Sequence, residues 1–263
     1  MKNIFISSKD MLRLSAFAAA ITISTLPTIS EGSSNSHSLV DAAAGGEYAK
    51  VYNLLSNGAS PNSTYQGTPA LLWGSEKGHL NVVELLINKG ADVNKKDAST
   101  NMTALMVAAS EGHEKIVNLL VGSGADIHMK DRNHHATALM SASEYGYTKI
   151  AKLLLNKGAS VNAKNNVGYT PLSLAISNGH FNTTKLLVSS GANVNVPDDK
   201  YGLTPTMVAS LKGSIEIVQY LLDHNAKVGK DVKANNGMTT IDLAKAKGHH
   251  KIAELIRKHL DTK

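Results

Sequence analysis

From residue 38 onward the apolar residues fall into blocks of about 33 residues, each with the same internal order. The blocks are opened by Pro69, Thr103, Thr137, Thr170, Thr204 and Thr239, at steps of 34, 34, 33, 34 and 35 residues. Nine residues after each opener stands a glycine: Gly78, Gly112, Gly146, Gly179, Gly213 and Gly248. An apolar pair follows in each block, as in Leu85-Leu86, Leu119-Leu120, Leu153-Leu154, Leu186-Leu187 and Leu221-Leu222. A second marker closes it: Gly58-Ala59, Gly90-Ala91, Gly124-Ala125, Gly158-Ala159, Gly191-Ala192 and, once altered, Asn225-Ala226. The first block, Ser38–Gln66, lacks the opening marker.

Each marker has a physical task. Threonine at the opener accepts a free backbone N–H at the start of a helix. Pro171 and Pro205 follow at the first helical position, where a missing N–H costs nothing. The first glycine takes the left-handed conformation that ends a short helix. A second helix then runs to the second glycine, with its leucine pair and Val83, Val117, Ile150 and Val218 facing inward. Asn225 is the best non-glycine substitute in a left-handed position. Beyond it, segments such as Asp92-Val93-Asn94, Asp126-Ile127-His128 and Asn193-Val194-Asn195 read as extended hairpin arms and turns. The predicted unit is helix, turn, helix and projecting hairpin.

This unit resembles the ankyrin repeat, most clearly in Gly168-Tyr169-Thr170-Pro171-Leu172-Ser173-Leu174-Ala175 and in Gly90-Ala91-Asp92-Val93-Asn94. The resemblance implies a mostly α fold: an ankyrin-repeat solenoid of stacked helix-turn-helix units with projecting β-hairpin loops. It covers residues 38–260 as seven units, the first and last acting as caps. The tetratricopeptide repeat has a similar period, but it lacks the hairpin and carries spaced Trp, Gly and Tyr markers absent here. The family usually places His two residues after the Pro of its opening motif. That slot here holds Leu72, Met106, Met140, Ser173, Met207 and Asp242, so the junctions are expected to be more apolar and less hydrogen-bonded.

The first thirty residues follow another pattern. Lys2, Lys9 and Arg13 precede an uncharged stretch from Leu14 to Leu26, which Pro27 breaks before Thr28-Ile29-Ser30. This is the layout of a secretory signal peptide over 1–30, with cleavage expected after Ser30. The alternatives are an uncleaved membrane anchor and an ordinary N-terminal helix; the apolar run is shorter than the ~20 residues that cross a bilayer comfortably. Residues 31–37, rich in Gly, Ser and Asn, read as a flexible lead-in. The reading is of an exported protein, periplasmic or secreted, and the Lys, Asn and Ser richness beside this leader points to a bacterial source.

Composition narrows the chemistry. Hydrophobic residues at 42% and charged residues at 18% describe an ordinary folded chain, and 5% aromatics leave the core to Ala, Val, Leu and Ile. The absence of cysteine removes disulfides, thiolate metal sites and cysteine nucleophiles. The formal charge of +6 is concentrated in residues 227–263, where nine Lys/Arg face Asp231, Asp242, Glu254 and Asp261. That distribution keeps an end cap soluble and is not the continuous basic stripe of a nucleic-acid binder. His79, His113, His180 and His249 all follow a helix-ending glycine, where ankyrin repeats carry His for structural reasons. His134-His135 and His249-His250 lack partner ligands at metal-binding spacing. Gly122-Ser123-Gly124 lacks the Lys and Ser/Thr of a phosphate loop, and Asp198-Asp199 reads as a turn former.

The expectation is therefore a non-enzymatic scaffold with no cofactor, no metal, no small-molecule substrate and no nucleic acid. Its partner is another protein, and a membrane enters only if the leader stays uncleaved. A secreted effector engaging a host-cell protein is the alternative. In ankyrin repeats, binding commonly uses the hairpin residues before the opening motif and the exposed residues before the first glycine. Mapped here, those slots hold Tyr65, Gln66, Glu76, Lys77, His134, Glu144, Tyr145, Tyr169, Tyr201, Leu211 and Lys212. Trp73, in the middle of a first helix where other units carry Val107, Ser141, Leu174, Val208 and Leu243, is either a central anchor or a filler of the groove floor.

Overall fold

A computed structural model of the chain describes residues 31–262; the leader over 1–30 lies outside the described residues. Among these, fourteen helices form seven successive pairs. Repeat 1 holds α1 (Glu31–Ala44) and α2 (Tyr48–Ser56), and repeat 2 holds α3 (Ala70–Glu76) and α4 (Leu80–Asn88). Repeat 3 holds α5 (Ala104–Ser110) and α6 (Glu114–Gly122), and repeat 4 holds α7 (Ala138–Glu144) and α8 (Thr148–Asn156). Repeats 5, 6 and 7 hold α9 (Pro171–Ser177) and α10 (Phe181–Ser189), α11 (Pro205–Lys212) and α12 (Ile215–Asp223), and α13 (Thr240–Ala246) and α14 (His250–Asp261).

Helix boundaries fall where the capping chemistry sets them. The hydroxyls of Thr103, Thr137, Thr170, Thr204 and Thr239 each accept from the backbone N–H three residues on, at 3.2–3.4 Å. Pro69 offers no such oxygen, and α3 starts without a side-chain cap. Ser173 and Asp242, two of the residues in the altered histidine slot, answer their threonines reciprocally and complete capping boxes. The markers at the ends of the helices have φ between +64° (Asn225) and +91° (Gly158), as the left-handed reading requires.

Three expectations are corrected. Residues 31–37 are not a flexible lead-in but the start of α1, where Ser36 meets Ser63 at 3.5 Å and the His37 ring lies 4.2 Å from Tyr65. The projecting hairpins are mostly loops. Among the described residues one finger forms a ladder, β1 (Thr64–Tyr65) with β2 (Thr68–Pro69), turned by Gln66 and Gly67 at positive φ. In four others a buried Asp or Asn folds the finger: Asp97, Asp131, Asn165 and Asp198 each accept backbone N–H groups from their own loop, while the last finger keeps a single antiparallel bridge, Lys233 with Thr239. A side chain that supplies these acceptors replaces the ladder. The segments after Gly-Ala turn where extended arms were expected; Lys95 N–H donates to the Asp92 carbonyl at 3.1 Å.

One hydrophobic core runs the length of the stack, from Leu39 to Ile256. Its first-helix side is lined by alanines such as Ala70, Ala104, Ala108, Ala138, Ala175 and Ala209, which let neighbouring first helices approach closely. The first-helix layer is packed more tightly from repeat to repeat than the second-helix layer. That difference bends the stack and puts the first helices on the concave side.

Candidate protein-binding surface

Three lines of hydrogen bonds cross from repeat to repeat and hold the concave face in shape. The first runs along the finger tips, where Ala98, Arg132, Asn166, Asp199 and Asn235 donate backbone N–H to Gly67, Thr100, His134, Val167 and Tyr201. The second runs along the finger bases. Asn62, Asn94, Asn162 and Asn195 each accept from the amide of Asp92, Asp126, Asn193 or Lys227, and each donates to the carbonyl of Gly90, Gly124, Gly191 or Asn225. The third runs along the helix–helix turns. Nε2 of His79, His113 and His180 lies 2.8–3.0 Å from the carbonyls of Ala44, Glu76 and Glu144. A carbonyl only accepts, so Nε2 carries the proton. These histidines are structural, as their position implied. The His249 ring also sits against Gly213, where an added Cβ would lie 2.7 Å from Cε1, but it makes no such hydrogen bond.

The candidate residues divide into those presented to solvent and those withdrawn. Gln66, Lys77 and Lys212 are exposed, and Tyr65, Trp73, Glu76, His134, Tyr145, Tyr201 and Leu211 are half-buried. Tyr65, Trp73, Tyr201 and Leu211 pack against the core on one side and keep the other open. Cations sit over two of these rings: Lys77 Nζ lies 5.6 Å from the Trp73 centroid, and Lys200 Nζ 4.8 Å from Tyr201. Lys77 also pairs with Glu76 at 2.9 Å. Tyr145 stacks on Tyr147 at 6.2 Å. The finger brings Gln66 to Tyr65, and His134 hangs beside Asp131.

Two members are not surface residues. Tyr169 is 8% exposed and belongs to a small satellite cluster with Ala136, Met140 and Leu174. Met140 stands in the altered histidine slot, and the apolar junction expected there is what draws the tyrosine in. Glu144 is 3% exposed. The same slot on the flanking repeats holds Ser110 and Ser177, which leave room for a longer side chain to lie against the stack. Its Oε2 has no hydrogen-bond partner, and burial pushes the carboxyl up to about 7. The opposite case is Asp97. Burial alone would raise its carboxyl, but hydrogen bonds from Ser99, Thr68 and Thr100 overcome that and hold it below the ordinary value.

Sequence reasoning missed the two side-chain ladders that shape this face. The asparagines were visible as a repeated residue, but a single chain carries no sign that each reaches into the next repeat. Among the described residues no group of three or more His, Asp or Glu is placed to hold a metal. No helix there is long and apolar enough to cross a membrane. A cleft of about 300 Å³ lies on the second-helix side, lined by Tyr48, Asn81, Glu84, Leu85 and Asn88, away from the concave slots.

Paired helices, finger loops and cross-repeat ladders define a solenoid repeat protein with a built concave surface. The family models for ankyrin repeats match residues 39–131 and 128–198 in the three-copy form and 175–222 in the many-copy form. The chain belongs to the ankyrin-repeat family. It is similar to mouse "Ankyrin repeat and SAM domain-containing protein 6", with 37% identity over 79 residues, which is 30% of this chain and 9% of that protein. Ankyrin repeats form protein–protein interaction domains, and proteins built from them are typically non-enzymatic scaffolds.

Proposed function

We propose that this chain is an exported, non-enzymatic scaffold that binds a partner protein across its concave face. One observation carries the reading: the half-exposed aromatics Tyr65, Trp73, Tyr145 and Tyr201 are spread along the first helices and fingers of the stack. Each has a side already fixed by packing, ring stacking or a neighbouring cation. Rings ordered in advance lose little entropy on binding, and truncating such an anchor costs ~2 kcal/mol or more of affinity. The flanking Gln66, Lys77 and Lys212 supply a polar rim.

Affinity purification of the mature form with mass spectrometry identifies the partner. Tyr145→Ala with Tyr201→Ala then weakens binding at unchanged fold; equal affinity in the double variant defeats the concave-face reading. Export rests on the order of residues 1–30 and is tested by N-terminal sequencing of the exported product. Glu31 is the expected first residue, and an intact Met1 in the membrane fraction replaces the signal with an anchor.

A further inference from the structure

We propose that the stack holds two rigid halves, repeats 1–3 and repeats 4–6, which flex against each other at the junction of α5–α6 with α7–α8, pivoting about finger tips held by Arg132. At this junction two of the three cross-repeat lines are interrupted together. The finger-base slot that holds Asn62, Asn94, Asn162 and Asn195 elsewhere holds His128. Imidazole cannot offer the acceptor-and-donor pair of a side-chain amide in that geometry, so the amide of Ser160 and the carbonyl of Gly158 go unclipped. Repeat 7 joins the stack as an end cap: among the described residues no finger base follows α14, and the His249 ring makes no hydrogen bond to the turn of repeat 6. The junction of repeats 3 and 4 is thus the one in the described stack where both finger bases exist and the clip does not.

At the helix–helix turn of the same junction, Tyr147 stands where His79, His113 and His180 reach the preceding repeat. Its ring covers Gly112, as the histidines cover theirs, but the Ser110 carbonyl receives no bond from it. Ser214 interrupts the turn line between repeats 5 and 6 as well, yet Asn195 still clips the finger bases there. The exposed Lys149–Glu114 pair, at 4.0 Å, is too long and too well screened to substitute for two clips.

The third line is reinforced at this place. Arg132 N–H donates to the Thr100 carbonyl at 2.7 Å. Its guanidinium donates to the carbonyls of Ala98 and Ser99 at 3.1 and 3.0 Å and to Asn101 Oδ1 at 3.1 Å. A planar donor fork engaging three acceptors resists rotation better than one amide bond. The tips are therefore clamped while the bases and turns lack their hydrogen bonds, and the motion left to the junction is a hinge about the tips. Repeat stacks couple only to their neighbours, so one loosened junction divides the array without unfolding it.

The test uses the full chain, whose lack of cysteine lets spin labels be placed singly. Labels at the exposed, equivalent positions Glu84 and Lys152 span the junction, and labels at Lys152 and Gln219 span two clipped ones over a similar length. The expected result is a broader distance distribution for the first pair. The Ser160 amide should also exchange roughly ten-fold faster than those of Asn193 and Asp126, about what one missing hydrogen bond is worth. His128→Asn with Tyr147→His should narrow the first distribution to match the second and slow Ser160. Equal widths in the parent chain, or a Ser160 amide as protected as Asn193, overturns the proposal. So does a double variant that folds with the wild-type circular dichroism and leaves the width unchanged.

Discussion

The imidazole of His180 closes over Gly146 so nearly that a Cβ there would sit 2.5 Å from Nδ1, while Nε2 lies 2.8 Å from the carbonyl of Glu144. Gly146 is thus required twice, by its φ of +74° and by the ring of the next repeat. Gly179 shares that φ, but nothing lies within 4 Å of its would-be Cβ.

The pair separates the two requirements. Gly179→Ala should cost about 1–2 kcal/mol, the strain of a side chain in the left-handed region. Gly146→Ala should cost that and roughly 1 kcal/mol more, because the His180 ring must move and its hydrogen bond is lost. Urea unfolding of both variants measures the difference. Hydrogen exchange on the more disruptive Gly146→Val should show residues 137–158 loosening first. Uniform loss of protection along the stack would contradict a nearest-neighbour solenoid.

Glu144 makes stability depend on pH. Its folded pKa of about 7 lies above the 4.5 of a free side chain. Between those values the folded state holds a proton that the unfolded state has released. Stability therefore falls as pH rises from about 4.5 to 7 and levels off above, by about 3 kcal/mol at most. Glu144→Gln should remove this slope and leave the variant more stable than the parent at pH 8. Denaturant midpoints at pH 5 and pH 8 read it directly, and parallel profiles for the two proteins would show that the carboxyl is not buried in solution.

Asp97 has the opposite sign. Its carboxylate is held below its ordinary value by bonds from its own loop and from Thr68 of the preceding finger, at 2.6 Å. The stabilisation is present above the unfolded pKa near 3.8 and is lost as pH falls through the folded value. Asp97→Ala orphans these donors and should cost roughly 1–3 kcal/mol at neutral pH. The loss should appear in exchange at Ser99 and Thr100 before it appears elsewhere.

Trp73 separates packing from recognition. It is half-buried against the core with Lys77 over its ring. Trp73→Ala should lower the free energy of unfolding, by about 3 kcal/mol if the packed side dominates. If affinity for the identified partner also falls ten-fold or more, the open side is an anchor. A drop in stability with unchanged affinity assigns the residue to the groove floor.

The helices and their ends were legible in the sequence because local chemistry decides them. A threonine caps its own helix and a glycine ends it through φ, whatever lies around them. What the local pattern could not settle was every outcome that depends on the adjacent repeat. The finger slots looked alike, yet Asp97 and its equivalents fold most fingers through side-chain acceptors, and the one ladder forms around Gln66 and Gly67. Tyr169 and Glu144 occupied slots mapped as exposed, but Met140 offered the tyrosine an apolar pocket and small neighbours let the glutamate lie down. Asn62, Asn94, Asn162 and Asn195 bond to residues 28 to 32 positions away, a separation at which the sequence records the residue but not its partner. Period, helix ends and the apolar stripe follow from each residue's own backbone and from its neighbours along the chain. Which side chains face a partner, and where the stack bends, depend on how one repeat's surface meets the next.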